Sequence, residues 1–257
     1  MKLAKDQIAR QFSRAATTYD AAAQLQNEMA KFLIDTVPNN SPGTLVDLGC
    51  GTGWPLQQLA ASCIYEMTAI DIASGMIDIA REKTPEVDFI CCDLECTPLP
   101  DDFANVIFSN AAIQWCNTSK AFTEITRIAK PNANLLLSTF GPSTLIEIRN
   151  AWKKIGDSSD RIHQFENLQT IERILKDLKF KDIAIKQENR QLIYHSVDDL
   201  FQGIRKLGAT NASSNRRSGL LGKERYRRLK AVFENWLAEN NQLELTFECI
   251  FVTAKTA

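Results

Sequence analysis

Histidine is scarce in this chain, with only His163 and His195 among 257 residues. That removes the commonest ligand of transition metals, and no resident metal is expected. Cysteine occurs seven times and is scattered (Cys50, Cys63, Cys91, Cys92, Cys96, Cys116, Cys249), with no C-x-x-C pair. An odd, irregular set argues against a disulfide framework and reads as reduced, mostly buried thiols of a cytoplasmic protein. Net charge is small, −1 at pH 7, so no global field favours nucleic acid or an anionic membrane as partner. Apolar runs are short: none approaches the ~18 residues of a membrane span. The first residues, Met1-Lys2-Leu3-Ala4-Lys5-Asp6-Gln7, lack the apolar core of a secretory signal. Internal repeats and low-complexity segments are also missing. What is present, 44% hydrophobic and 24% charged residues, suits one α/β domain over residues 1–257 that buries most of its apolar surface.

Glycine is placed with purpose at one stretch: Leu45-Val46-Asp47-Leu48-Gly49-Cys50-Gly51-Thr52-Gly53-Trp54. An apolar run ends in an acid, glycines follow on alternate positions, and a helical pattern begins. Such a strand, turn and helix start lets backbone approach a ligand closely, because glycine accepts positive φ and has no Cβ. The dinucleotide fingerprint G-x-G-x-x-G has a different spacing. Asp47 would also repel a pyrophosphate, so a cationic, phosphate-free ligand is more sensible. The D-x-G-x-G-x-G pattern resembles the motif of class I S-adenosylmethionine-dependent methyltransferases. In that family the acid contacts the methionine end of the cofactor, and Asp47, Gly49 and Gly51 are the matching positions.

Before this turn, Ile8, Phe12, Ala15 and Tyr19 fall on one helical face. A second helical stretch covers about 22–35. Residues 1–40 thus form a helical arm ahead of the first strand, and such arms close over cofactor clefts. After the turn, strands at 44–48, 67–71, 87–93, 103–110 and 135–140 alternate with helices at 54–62, 74–83 and 120–129. Short apolar strands with little alternation suit burial on both faces. The expected fold is a doubly wound, mostly parallel, seven-stranded sheet, with residues 41–141 as its cofactor-binding half. Ligands in such sheets bind at the carboxyl ends of the strands. There Asp71, 20 residues past Gly51, offers a two-oxygen acceptor for both ribose hydroxyls of an adenosine. Asp93 with Leu94 suits the adenine amino group. Ile72 and Met76 are apolar candidates for walls of the adenine ring, and Asn110 ends the fourth strand.

Residues 142–257 read as substrate-side helices and final strands. Helices are expected at 142–154, 168–178, 197–207 and 222–240, and strands at 183–188 and 243–254. Between Arg205 and Lys230 stand Arg205, Lys206, Arg216, Arg217, Lys223, Arg225, Arg227, Arg228 and Lys230, against a single acid, Glu224. In a near-neutral chain this is a local asymmetry. It reads either as a solvated helix face or as a docking patch. With Tyr226 the only aromatic there, an acidic carrier protein fits better than a nucleic acid.

Three further stretches narrow the resemblance. Phe12-Ser13-Arg14-Ala15-Ala16-x-x-Tyr19-Asp20, Ser109-Asn110-Ala111-Ala112-Ile113-Gln114-Trp115-Cys116, and Leu207-Gly208-Ala209-Thr210-Asn211-Ala212 with Arg216-Arg217 and Gly219-Leu220 look like segments of the malonyl-acyl-carrier-protein O-methyltransferases of biotin synthesis, the BioC family. The resemblance implies S-adenosyl-L-methionine as cofactor. It implies a malonyl thioester on acyl carrier protein, or malonyl-coenzyme A, as acceptor. Arg149 is the expected grip on the malonyl carboxylate, its planar fork suiting two carboxylate oxygens, with Tyr19 and Trp115 shaping the pocket. Arg205, Lys206, Arg216 and Arg217 are the expected carrier-docking residues. Residues 156–169 match nothing in the family pattern, so His163 receives no role. Two other readings stay open: a methyltransferase acting on a quinone or a free carboxylic acid, and a non-catalytic cofactor-binding scaffold.

Overall fold

The computed structural model describes residues 5–38, 42–62, 64–156, 163–206 and 223–257, with the backbone alone at 62, 204–206 and 223. Two helices, α1 (Lys5–Tyr19) and α2 (Gln24–Ile34), precede the first strand. The alternating part then runs β1 (Gly43–Leu48), α3 (Trp54–Ser62), β2 (Tyr65–Asp71), α4 (Ser74–Lys83), β3 (Asp88–Cys91), β4 (Ala104–Asn110), α5 (Thr118–Ile128) and β5 (Ala129–Phe140). It is followed by α6 (Ile146–Lys154), α7 (Leu168–Asp177), β6 (Lys181–Tyr194), α8 (Val197–Lys206), α9 (Lys223–Asn240) and β7 (Leu243–Lys255).

Seven strands form one sheet in the order β3-β2-β1-β4-β5-β7-β6. The first five are parallel to their neighbours, and β7 runs antiparallel between β5 and β6. This is the doubly wound, mostly parallel seven-stranded sheet expected from the sequence. Strand residues divide by parity between two cores, as the two-residue period of a strand requires. Leu45, Phe108, Leu136 and Phe251 face the core under α2, α6 and α9. Val46, Ile107, Leu135, Leu137, Ile250 and Val252 face the core under α5 and α7. From β1 the chain proceeds to β2 and β3 on one side and to β4 and β5 on the other. That reversal opens a crevice beyond the carboxyl ends of β1 and β4, where ligands of open α/β sheets bind.

The structure departs from the expected boundaries in three informative places. β6 reaches Tyr194 rather than residue 188, pairing Tyr194 with Leu243. Its polar run Glu188-Asn189-Arg190-Gln191 carries no strand signal, yet the long β7 supplies partners for its backbone groups. β5 begins at Ala129 rather than 135, and its first part is irregular: Asn132 has φ 61° and the register jumps between Ala104 and Val106. α6 begins at Ile146 rather than 142, because Leu145 takes a left-handed φ of 58° while its N–H bonds Thr246 O at 2.7 Å.

Candidate active site

The glycine turn sits at the crevice. Gly51 has φ 54° and a Cβ there would meet nothing within 4 Å, so its backbone faces open space. Gly49, φ 84°, abuts Ala112 so closely that any side chain would collide with it. The turn is fixed from β2: Asp71 Oδ2 accepts the Gly51 N–H at 2.9 Å and Oδ1 accepts the Ala73 N–H at 2.8 Å. Each Asp71 oxygen keeps acceptor capacity for a further donor. Burial raises its carboxyl above the usual range, against the pull of those N–H groups.

An open cleft lies here. The expected cofactor contacts Gly49, Gly51, Asp71, Ile72 and Met76 line it, as do Asp93, Leu94 and Asn110 from the next strand ends. Tyr19 and Trp115 close it from the arm and the segment after β4. Burial, followed by the charges of Asp71 and Asp20, drives the Tyr19 phenol well above its ordinary range. Asp47 lies beneath the turn rather than in the wall. It is 1% exposed, and neither carboxylate oxygen has a partner. Burial first, and the nearby Asp71 second, push its carboxyl up to about 8. A buried acid with two orphan oxygens is costly unless a donor or cation reaches it. An ammonium at the methionine end of S-adenosylmethionine is such a group. Together with the open backbone of Gly51 and the free acceptor capacity of Asp71, this makes the donor set fit that cofactor.

Asn110 is committed within the protein. Its Nδ2 donates to Gln26 O at 3.0 Å, and its Oδ1 accepts from Ser138 Oγ at 2.6 Å, tying α2 to β4 and β5. Next to it Ala111 holds φ 49°, strained for a residue with a Cβ.

Several residues of the cleft carried no sequence signal. Lys5 is one: its Nζ bonds Asp93 Oδ1 at 3.0 Å, Glu95 Oε1 at 2.5 Å and Cys116 Sγ at 3.5 Å. Asp93, Glu95 and Cys116 cluster closely enough to share a cation, and that cation is the Lys5 ammonium. Burial, partly offset by Lys5, pushes the Cys116 thiol up to about 12. α1 is thus anchored at one end over the strand ends. At its other end, Asp20 accepts from Thr52 Oγ1 and from Lys83 Nζ, the latter at 2.5 Å. In between, Gly75 admits Ser13, and its N–H donates to Ser13 Oγ at 3.3 Å. Cysteine placement corrects the expectation of mostly buried thiols. Cys50 and Cys249 are buried, Cys92 and Cys116 intermediate, and Cys91 and Cys96 exposed on and after β3, an edge strand with little cover; Cys63 lies outside the described residues.

A second, smaller chamber adjoins the cleft and shares Phe12, Tyr19, Ala111 and Trp115 with it. Phe140, Phe165 and Phe247 add aromatic walls, and Gln26, Gln114 and Thr144 supply polar groups. Phe12 meets Trp115 edge-on at 5.7 Å, and Trp115 meets the His163 ring at 4.8 Å. His163, 4% exposed, is held by its Nε2 on Gln114 O at 2.6 Å. Burial lowers its pKa, favouring the neutral ring.

Arg149 lines neither the cleft nor the chamber. Its Nη2 donates to His163 O at 2.8 Å, and Nε and Nη2 reach Thr144 O at 3.4 Å. The expected direct grip on a carboxylate is therefore not the geometry found: α6 turns the guanidinium toward backbone carbonyls that carry the chamber wall. Burial lowers its pKa. Of the expected docking residues, Arg205 and Lys206 end α8 with side chains outside the described residues, and Arg216 and Arg217 lie wholly outside them. On α9, Arg225, Arg227 and Arg228 are exposed, with Arg228 Nη2 donating to Ile155 O at 2.8 Å.

Glycine turn, strand-end acids and covering arm define a methyltransferase of the S-adenosylmethionine-dependent class, and comparison with known proteins agrees. The family model for a methyltransferase domain matches residues 46–137. Over 252 residues the chain is 31% identical to the malonyl-acyl-carrier-protein O-methyltransferase of Halorhodospira halophila, covering 95% of this chain and 85% of that protein. It is 33% identical to the biotin biosynthesis bifunctional protein BioHC of Teredinibacter turnerae, covering 96% of this chain and 46% of that protein. The chain thus spans about half the length of such bifunctional relatives. Among solved structures, the YcgJ protein of Bacillus subtilis superimposes with a TM-score of 0.63 at 14% identity, covering 89% of this chain and 98% of that one. The chain belongs to the malonyl-acyl-carrier-protein O-methyltransferase family.

Proposed function

We propose that this chain methylates the free carboxylate of a malonyl thioester held by acyl carrier protein or coenzyme A, with S-adenosyl-L-methionine as donor. The product, a malonyl methyl ester, would prime biotin synthesis. The observation that carries this reading is the junction of the two cavities. The cleft fitted to the cofactor shares Phe12, Tyr19, Ala111 and Trp115 with the adjoining aromatic chamber, so an acceptor in the chamber would lie against the cofactor. Similarity to the named relatives over nearly the whole chain supports the choice of acceptor.

When bound, the cofactor supplies an electrophilic methyl group on a sulfonium. The malonyl carboxylate is ionised at neutral pH, so no side chain is needed as a base. The chain's task is to bind, orient and dry the reactants. Asp47 and Asp71 fix the cofactor's two ends, and Asp93 with the Leu94 backbone addresses its base. Phe12, Tyr19 and Trp115 exclude water between the cavities. Arg149 shapes the chamber at one remove, by holding the carbonyl of His163, whose ring rests on Trp115. The basic residues Arg205, Lys206, Arg216 and Arg217 dock the acidic carrier. The thiols at Cys91, Cys92 and Cys96 suit a reducing compartment, and the proposal sets the reaction in the cytoplasm. A methyl-transfer assay on malonyl-carrier, malonyl-coenzyme A, free malonate and a quinone, run side by side, tests the reading. Turnover on the thioesters above that on the free acid and the quinone is expected. Preference for either small molecule would overturn it.

A further inference from the structure

Gln26 stands in the first turn of α2 and is 9% exposed. Its backbone carbonyl accepts from Asn110 Nδ2 at 3.0 Å, which holds this part of α2 against the end of β4. Its side chain borders the aromatic chamber, yet the carboxamide oxygen Oε1 is buried without a hydrogen-bond partner. Buried amide oxygens are rarely left so, because losing water without gaining a donor is unfavourable. Phe12, Tyr19, Phe140 and Phe165 line the same chamber, and its polar Gln114 and Thr144 are engaged elsewhere, Gln114 with Ala111 O and Thr139 Oγ1, Thr144 with Glu248 O. An orphan acceptor in a largely aromatic chamber calls for a ligand that brings an N–H or O–H.

The proposed acceptor narrows what that donor is. An ionised malonyl group carries only acceptors: two carboxylate oxygens and the thioester carbonyl. The first donor along the molecule is the amide N–H of the pantetheine arm, two carbons beyond the thioester sulfur. We propose that Gln26 is a specificity-determining residue whose Oε1 accepts the hydrogen bond of that amide, so that the chamber selects acyl groups carried on pantetheine over those on simpler thiols. This rests on the malonyl-thioester reading above. It goes beyond that reading by assigning the discrimination to one side chain on α2, away from the basic residues expected to dock the carrier.

The test compares two acceptors that differ in this amide: malonyl-pantetheine, and the malonyl monothioester of ethanethiol. The wild type should use malonyl-pantetheine with the higher kcat/KM. Gln26→Met keeps the length of the side chain and removes its polar atoms. It should lower kcat/KM about ten-fold for malonyl-pantetheine, the loss of one hydrogen bond, and leave the ethyl thioester within about two-fold. Calorimetry should show the same ten-fold weakening of malonyl-pantetheine binding in the presence of S-adenosylhomocysteine, with cofactor affinity unchanged. Gln26→Glu retains an acceptor oxygen and should keep the ratio between the two acceptors even where its absolute rates fall; this variant decides the matter if Gln26→Met does not fold. An equal fall on both acceptors, or no fall on either, overturns the assignment. A wild type that methylates neither thioester overturns the parent reading, and the assignment with it.

Discussion

Asp47 offers the sharpest perturbation. Its carboxyl, ordinarily ionised above 3.8, stays protonated in the folded protein up to about 8 because it is buried beside Asp71. The folded, ligand-free state therefore holds a proton that the unfolded chain releases, and its stability falls as pH rises from about 4 to about 8. An ammonium arriving at the two unpartnered oxygens binds the ionised form. Below pH 8 that ionisation must accompany binding, so one proton leaves with each cofactor bound. The ionised fraction grows from about 1% at pH 6 to about 9% at pH 7, and affinity should rise about nine-fold over that interval. An α-amino group, with a reference pKa of about 7.7–8.0, remains protonated across it. Calorimetric titration with S-adenosylmethionine, without acceptor and in buffers of different ionisation enthalpy, measures both the affinity and the proton. Asp47→Asn keeps the volume and removes the charge. It should abolish the slope and the proton release, and weaken binding at pH 8 by roughly thirty-fold, from about 2 kcal/mol for a charge-assisted hydrogen bond. The same variant should melt higher than the wild type when ligand-free at pH 8, since it no longer carries a buried charge. Equal wild-type affinity at pH 6 and pH 7 with no proton released would refute the ion-pair reading.

Substitutions at three further places probe separate parts of the protein. Asp71→Ala removes the proposed acceptor for the ribose and the brace on the Gly51 and Ala73 N–H groups; cofactor affinity should drop on the order of a hundred-fold, about 3 kcal/mol, and unchanged calorimetric affinity would exclude Asp71 from the site. Arg149→Ala should cut turnover on malonyl-carrier about ten-fold while sparing cofactor affinity. Arg149→Lys separates the two roles: an ammonium still donates to His163 O and should restore most activity, whereas a bidentate carboxylate grip would not survive the change. Reversing the charge of Arg216 and Arg217 together should raise KM for malonyl-carrier about ten-fold at low salt and leave malonyl-coenzyme A nearly untouched. An equal rise for both acceptors would argue against a docking role.

Local chemistry made much of this molecule legible. The strand-turn-helix at Asp47–Gly53, the apolar runs of β1, β2 and β4, and the acids that end β2 and follow β3 are signals read within a few residues, and they carry the sheet, its crevice and the cofactor's place. Tyr19 was legible from the helical spacing of the arm, and Trp115 from the family resemblance of the segment after β4. Where partners are distant, the local signal fails. β6 continues past residue 188 only because β7 offers it a ladder, and its polar sequence gives no hint of that. Lys5 reaches Asp93, Glu95 and Cys116 across 88 or more positions of chain. Nothing in the neighbours of a surface-like lysine announces such a bond.

Arg149 and Gln26 mark the boundary most clearly. An arginine on a substrate-side helix suits a carboxylate by its chemistry, and residue type alone favoured that role. The left-handed turn at Leu145 and the carbonyls of Thr144 and His163 decided where its guanidinium points. Gln26 carries no signal of its own in the sequence; it is α2 set against β4 that leaves its oxygen buried beside an aromatic chamber. Sequence determined the class of fold and the donor of the methyl group, because glycine geometry and strand-end carboxylates are properties of short segments. Only the tertiary structure decided which side chains line the second chamber and which are spent holding its walls. Those roles depend on burial and on hydrogen-bond partners contributed by segments far apart along the chain.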